Sequence, residues 1–300
     1  MNSKEQFETV NDGLLVRAPA KINLSLLIAG KRPDGFHEIE TVMAKVDFYD
    51  EILIEPGQKT GIELLCRGPR WAPEGKDNLV YRACEMLLNS SGQYADIKIT
   101  LIKNIPAGSG LASASSDAAA TLIGLNKYLN LGLPNHRLAK LAEKLGSDVA
   151  FFLDGPLAFC TGKGEKVKKL TKVFDFSALL ILPDISVSTK EVYANYRHNP
   201  PLYEKLRNLI NTHIEKNRFD LVSKMCANML GTSCFNLHRE LDELKASIES
   251  LGIGPLCLSG SGSALFLIMD RKEEQRARKD KCKLDERIGC NSIIVSNNRW

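Results

Sequence analysis

The run Ile105-Pro106-Ala107-Gly108-Ser109-Gly110-Leu111-Ala112-Ser113-Ala114-Ser115-Ser116-Asp117 is the strongest chemical signal in the chain. Gly108 and Gly110 permit positive φ and let a ligand approach the backbone closely. The alternating stretch Asp96–Ile102 before the run reads as a strand, and the small-residue stretch Ala112–Leu129 after it reads as a helix. Unpaired N–H groups at such a helix start, with the helix dipole behind them, suit a phosphate. The hydroxyls of Ser115 and Ser116 can bond phosphate or a metal-bound water. Other signatures are missing. Each Gly-Lys pair is followed by Arg, Asp or Gly, so there is no Walker A motif. Ser113 and Leu265 stand where a dinucleotide fingerprint starting at Gly108 or Gly260 needs Gly or Ala. No serine lies in a G-x-S-x-G elbow.

Three further segments carry candidate chemistry. Ala18-Pro19-Ala20-Lys21-Ile22-Asn23-Leu24 sets Lys21 and Asn23 two apart, on one side of a strand. Gly146-Ser147-Asp148-Val149-Ala150-Phe151-Phe152 puts an acid beside a short apolar helical run. Leu258-Ser259-Gly260-Ser261-Gly262-Ser263-Ala264 is a second glycine-rich turn, either a plain turn or a second backbone cradle for an anion.

The elements that must position these residues follow from periodicity. Strands are expected at Leu14–Arg17, Leu24–Ile28, Glu40–Phe48, Asp50–Glu55, Ala158–Thr161, Leu179–Leu182, Leu256–Leu258, Ala264–Met269 and Ser292–Ser296. Helices are expected at Asp77–Asn89, Leu138–Leu145, Thr189–Tyr196, Leu202–Ile214, Phe219–Leu230, His238–Leu251 and Lys272–Lys283. Strands and helices mix without strict alternation, which favours an α+β fold. At 300 residues and 44% apolar composition the chain supports two domains, placed at 1–165 and 166–300. Residues 1–12 read as a loose tail and the lysine-rich stretch Lys163–Lys172 as a solvated linker. A net charge of +4 is too small to call for nucleic acid but suits a small anionic ligand. The longest apolar run, Ala264–Met269, is far short of a membrane span. The polar N-terminus shows no secretory signal, and the eight cysteines, none in CxxC spacing, read as reduced thiols of a cytoplasmic protein.

The order of these motifs resembles the GHMP kinase superfamily. Gly30-Lys31-Arg32-Pro33-Asp34-Gly35-Phe36-His37-Glu38, Thr161-Gly162-Lys163-Gly164-Glu165 and Val187-Ser188-Thr189-Lys190-Glu191-Val192-Tyr193 narrow it to a likeness with the 4-diphosphocytidyl-2-C-methyl-D-erythritol kinase family. The resemblance implies a two-domain fold, with an N-terminal ribosomal-protein-S5-like domain, a C-terminal ferredoxin-like domain and the active site in the cleft between them. It implies ATP-dependent phosphorylation of the substrate's 2-hydroxyl, with Mg2+, in the non-mevalonate route to isoprenoids. By match, Asp148 is the general base and Lys21 its partner. Pro106, Gly108, Ser109, Gly110, Ser115 and Ser116 hold ATP phosphates, and Lys103 lies near the adenine. His37 reads the cytosine edge, Phe36 and Tyr193 stack on the ring, and Asn23 and Thr189 contact the substrate. No residue is assigned as a direct metal ligand. The expected partner is a small molecule, with neither nucleic acid nor membrane, and the chain a monomer or weak homodimer. A kinase for another small alcohol, of homoserine or mevalonate type, and a non-catalytic nucleotide-binding relative stand as alternatives. Two departures mark this chain: Phe36 replaces the family's usual tyrosine, and Ala112-Ser113-Ala114 stands where the family is commonly glycine-rich, so any positive φ there is strained.

Overall fold

Apolar residues alternate with Arg17, Lys21, Asn23 and Ser25 between Leu14 and Ile28, and the computed structural model, which describes residues 4–172 and 174–300, shows nearly all of them buried. The two short strands expected there are one long strand, β2 (Gly13–Lys31), buried on both faces. It follows β1 (Phe7–Val10) and pairs antiparallel with β3 (His37–Pro56), which likewise joins two expected strands. Pro19 has no N–H to give the ladder, and the register shifts between Pro19 and Ala20. The first half of β3 pairs with β6 (Leu157–Gly162), and the second half with β5 (Ile97–Ile102). Beyond β5 lies β4 (Ile62–Arg67), parallel to it, with α1 (Leu79–Ser91) as the crossover. Helices α2 (Ser113–Tyr128) and α3 (Asn135–Leu145) pack with α1 on this sheet. A Cβ on Gly124 of α2 would lie 2.7 Å from Val16 Cγ2, so glycine sets how closely the helix approaches β2.

The second sheet runs β8 (Ser177–Ile181), β9 (Cys257–Leu258), β10 (Leu265–Met269) and β11 (Ser292–Ser296) in spatial order β11-β8-β10-β9, all antiparallel. Helices α4 (Thr189–Ala194), α5 (Pro200–Glu215), α6 (Phe219–Lys224), α7 (Gly231–Leu237) and α8 (Arg239–Ser250) intervene between β8 and β9, and α9 (Glu274–Arg287) between β10 and β11. This is the βαββαβ order of the expected ferredoxin-like domain. Ile22, Leu24 and Leu26 of β2 share one core with Leu180 and Phe266, so the two halves are joined through apolar side chains.

Four expectations are corrected. The expected N-terminal tail contributes β1, because Phe7–Val10 pairs with Gly13–Val16. The expected linker contains β7 (Lys166–Lys169), whose backbone bonds β6 while its lysines stay solvated, so the first sheet reaches past residue 165. The helix expected over Phe219–Leu230 ends at Lys224, where Cys226 takes φ +46 and the chain turns to pair with Leu26. That turn brings Cys226 against Cys257, and the two are disulfide-bonded rather than free. Sequence spacing hides this pairing, since the turn creates it. Among the described residues no helix is long and apolar enough to cross a membrane.

Candidate active site

Several loops, strand β2 and helix α4 gather around a cleft of about 1080 Å³. Helix α2 begins after Ala112, which takes the left-handed conformation (φ +54) and offers no capping side chain. The first N–H groups of α2 have no intrahelical partner by geometry and no cap, and stay available to an anion. The preceding turn supplies Pro106, Gly108, Ser109 and Gly110 to the cleft wall. Ser115 lines the cleft as well, whereas Ser116 is buried outside that lining with its hydroxyl unpartnered among the described residues.

The two glycine-rich turns meet. Gly110 has φ +74, and a Cβ there would sit 2.0 Å from the Ser259 carbonyl oxygen, so only glycine fits. The Gly110 carbonyl accepts from the Ser259 hydroxyl at 3.0 Å and from Lys21 Nζ at 2.6 Å. The second turn is therefore a buttress for the first, and Ser261 shares a 2.8 Å hydrogen bond with Thr189 at the cleft.

Lys21 is buried on β2. Its ammonium donates to Asn23 Oδ1 and to Gly110, and the Asn23 amide donates to Thr41 Oγ1 at 2.8 Å. Asn23 is thus engaged in aiming Lys21. Burial pushes the Lys21 pKa down, and the nearby Asp148 carboxylate partly offsets this. Asp148 stands half-buried on the turn between α3 and a short 3-10 segment (Ala150–Leu153). That segment has no side-chain cap, so the carboxylate faces the cleft instead. The β6–β7 hairpin closes over it: a Cβ on Gly164 would lie 3.3 Å from Asp148 Oδ1.

Lys103 lines the cleft but is fully engaged within the protein. It contacts Asp50 and Ser113, and reaches Asp117 Oδ2 at 2.7 Å. Asp50 also accepts from the backbone N–H groups of Asn104 and Ile105. The cluster ties the end of β5 to the start of α2, and so fixes the turn between them. Burial alone would lower the Lys103 pKa, but Asp117 and Asp50 raise it overall. Burial and the neighbouring Asp50 push Asp117 up to about 8 despite Lys103.

An aromatic group occupies another wall. The His37 and Tyr193 rings lie 5.2 Å apart, and Tyr196 meets His37 edge-on at 5.8 Å. Burial lowers the His37 pKa, helped by Lys31 and His198. Phe36 is 54% exposed on a turn braced by Arg32, Asp34 and Glu38. The structure thus brings Lys21, Asp148, the first glycine-rich turn, Phe36, His37, Thr189 and Tyr193 to one cleft and leaves Ser116 out of it. Sequence reasoning missed Trp71 and Tyr196, which sit in segments without a motif. It noticed the Thr161–Glu165 motif without placing Lys163, whose ammonium lies 4.7 Å over the Phe36 ring.

A cleft between a mixed sheet and a ferredoxin-like sheet, with an uncapped helix start beside a buried lysine and a carboxylate, defines a small-molecule kinase of the GHMP type. Comparison with known proteins agrees: the GHMP kinases N terminal domain matches residues 78–156, and the GHMP kinases C terminal domain matches residues 203–286. The 4-diphosphocytidyl-2-C-methyl-D-erythritol kinases of Bacillus cereus (strain B4264) and Bacillus anthracis (strain CDC 684) are each 39% identical over 256 residues, 84% of this chain and 87% of theirs. A crystal structure of 4-(cytidine 5'-diphospho)-2C-methyl-D-erythritol kinase is 30% identical, with a TM-score of 0.73 over 95% of this chain and 100% of that one. A homoserine kinase from Cytophaga hutchinsonii, 21% identical with a TM-score of 0.76 over 99% of this chain and 98% of its own, shares the fold. The chain belongs to the 4-diphosphocytidyl-2-C-methyl-D-erythritol kinase family.

Proposed function

We propose that this protein transfers the γ-phosphoryl group of ATP to the 2-hydroxyl of 4-diphosphocytidyl-2-C-methyl-D-erythritol, in the cytoplasm and as a monomer or weak homodimer. The observation that carries the reading is the bond from the Lys21 ammonium to the Gly110 carbonyl, which sets a cation against the phosphate turn with Asp148 nearby. Phosphoryl transfer asks chiefly for positioning and charge stabilisation. Backbone N–H groups of Gly108–Ser115 bind the donor's phosphates. Asp148 takes the proton of the acceptor hydroxyl as that oxygen attacks, while Lys21 holds the negative charge that develops. An ammonium has three donors, and two of them point to Asn23 and Gly110, leaving one for the reacting oxygens.

Magnesium fits as an ion carried by the triphosphate. Such an ion would keep most of its waters and need few protein ligands. The Ser115 hydroxyl, which lines the cleft beside the turn bearing Asp148, is the side chain that would hold it, and the ion would neutralise phosphate charge. His37 and Tyr193 favour a cytosine-bearing acceptor over homoserine or mevalonate. The deciding measurement is ADP release with each of these three acceptors and with none. Turnover with the cytidine diphosphate compound alone is expected; equal turnover with homoserine would reassign the substrate.

A further inference from the structure

We propose that Glu38 is a positioning residue that ties the turn bearing Phe36 and His37 to the hairpin over Asp148, so that filling the acceptor-base pocket steadies the general base. The inference rests on the kinase reading above and deepens it. It also gives a task to Thr161-Gly162-Lys163-Gly164-Glu165, a motif to which that reading assigns none.

Glu38 follows His37 at the start of β3. His37 lines the cleft, whereas Glu38 lies outside that lining, and its two carboxylate oxygens hold different elements. Oε2 accepts from Arg32 Nη1 at 2.5 Å, and Arg32 belongs to the turn between β2 and β3. Oε1 accepts from the Gly162 N–H at 3.1 Å, where β6 ends and the hairpin to β7 begins. The turn is tightly bonded within itself. The Arg32 N–H donates to the Phe36 carbonyl at 2.7 Å, the Phe36 N–H to Asp34 Oδ1 at 3.1 Å, and Arg32 Nε to Asp34 Oδ2 at 3.2 Å. Movement at Phe36 is therefore passed to Arg32 rather than absorbed in the loop.

The hairpin is bonded as closely. Gly162 has φ +76, and a Cβ there would lie 2.5 Å from Glu165 Oε1, while Glu165 Oε2 accepts from the Lys163 N–H at 2.5 Å. Gly164 has φ +116 and brings bare backbone up to the Asp148 carboxylate. Between the two glycines, Lys163 reaches back to place its ammonium over the Phe36 ring. Glu38 with Gly162 and Lys163 with Phe36 thus make two links from the base pocket to the cover of Asp148. A planar base held by Phe36 and Tyr193 orders the turn, and the two links hand that order to the hairpin. The turn supplies the differential contact that such a shift in population requires.

Cytidine 5'-monophosphate is the probe, since it carries the base without the acceptor's reacting 2-hydroxyl. In the unaltered protein it should slow hydrogen–deuterium exchange across residues 161–165 several-fold. In Glu38→Ala it should still bind and leave exchange there unchanged. In turnover, Glu38→Ala and Arg32→Met should each lower kcat by about ten-fold with the KM for ATP held. The double variant should be no worse than either, because both act through one bridge. Both side chains are partly open to solvent, so the variants should fold. Additive losses in the double variant, an unchanged kcat in Glu38→Ala, or hairpin protection that survives Glu38→Ala would each overturn the bridge. If cytidine 5'-monophosphate failed to bind the unaltered protein, the acceptor reading would fall first and the bridge with it.

Discussion

Asp148 and Lys21 lie far apart in the chain yet share one cleft, and their unequal surroundings set their roles. Lys21 is buried and bonded twice, so it is rigid; Asp148 sits half-buried on a turn and lines the cleft. Asp148→Asn keeps the shape and removes the proposed base. It should lower kcat by about 10²–10⁴-fold while ADP affinity, measured by calorimetry, holds. Near-normal kcat would take Asp148 out of the mechanism. Ala112 shows how far single residues were legible. The sequence marked the glycine-poor loop as a place where positive φ brings strain, and the structure puts that φ on Ala112. Ala112→Gly should accordingly raise stability by about 0.5–1 kcal/mol, read as a higher Tm. An unchanged or lower Tm would show that the residue rests comfortably there.

At the scale of elements, what was legible was local. The strand, turn and helix from Asp96 to Leu129 were apparent because periodicity and glycine punctuation are written within a few residues. The buttressing of Gly110 by Ser259 was not, since a hydroxyl and a carbonyl 149 residues apart meet only in the folded chain and leave no trace in local periodicity. The cluster of Lys103 with Asp50 and Asp117 was invisible for the same reason. Resemblance sets Lys103 near the adenine, and the structure gives its charge to two buried carboxylates. This ties β3, β5 and α2 together behind the first glycine-rich turn. Lys103→Met removes the shared cation and leaves the buried Asp50 without its ammonium partner. Denaturant unfolding should show a loss of about 3–5 kcal/mol. A loss under 1 kcal/mol would mean that the cluster contributes little to holding the turn.

For the whole molecule, the two-domain plan was legible because motif order and apolar patterning extend over the full chain, whereas the continuity of β2 and β3 was hidden by Pro19 and by polar residues that the second core covers. Lys45 is a further buried polar residue of β3, covered by Phe151 and Phe152 from the core of the first sheet. It lies midway along β3, 2% exposed, with its ammonium donating to the Phe152 carbonyl at 3.1 Å and 5.9 Å from the Phe151 ring. Its own carbonyl accepts from Asn298 near the C-terminus, so Lys45 stands where the long strand, the segment after Asp148 and the chain end converge. Burial pulls its pKa from 10.5 to about 7, Asp154 opposing and Lys169 reinforcing the fall. Between those values the unfolded chain holds a proton that the folded chain has released, so raising the pH through this window stabilises the fold, by at most about 1.4 kcal/mol per pH unit. Below about 7 both states hold the proton and the cost of a buried charge is fully in place. Other groups titrate in the same range, and comparison with Lys45→Met isolates this one. The Tm of the unaltered protein should climb relative to the variant between pH 6.5 and 9.5, the Lys45→Met form being the more stable at the acid end. A Tm difference independent of pH would show that Lys45 keeps its proton inside the fold, held by Phe152 and the Phe151 ring.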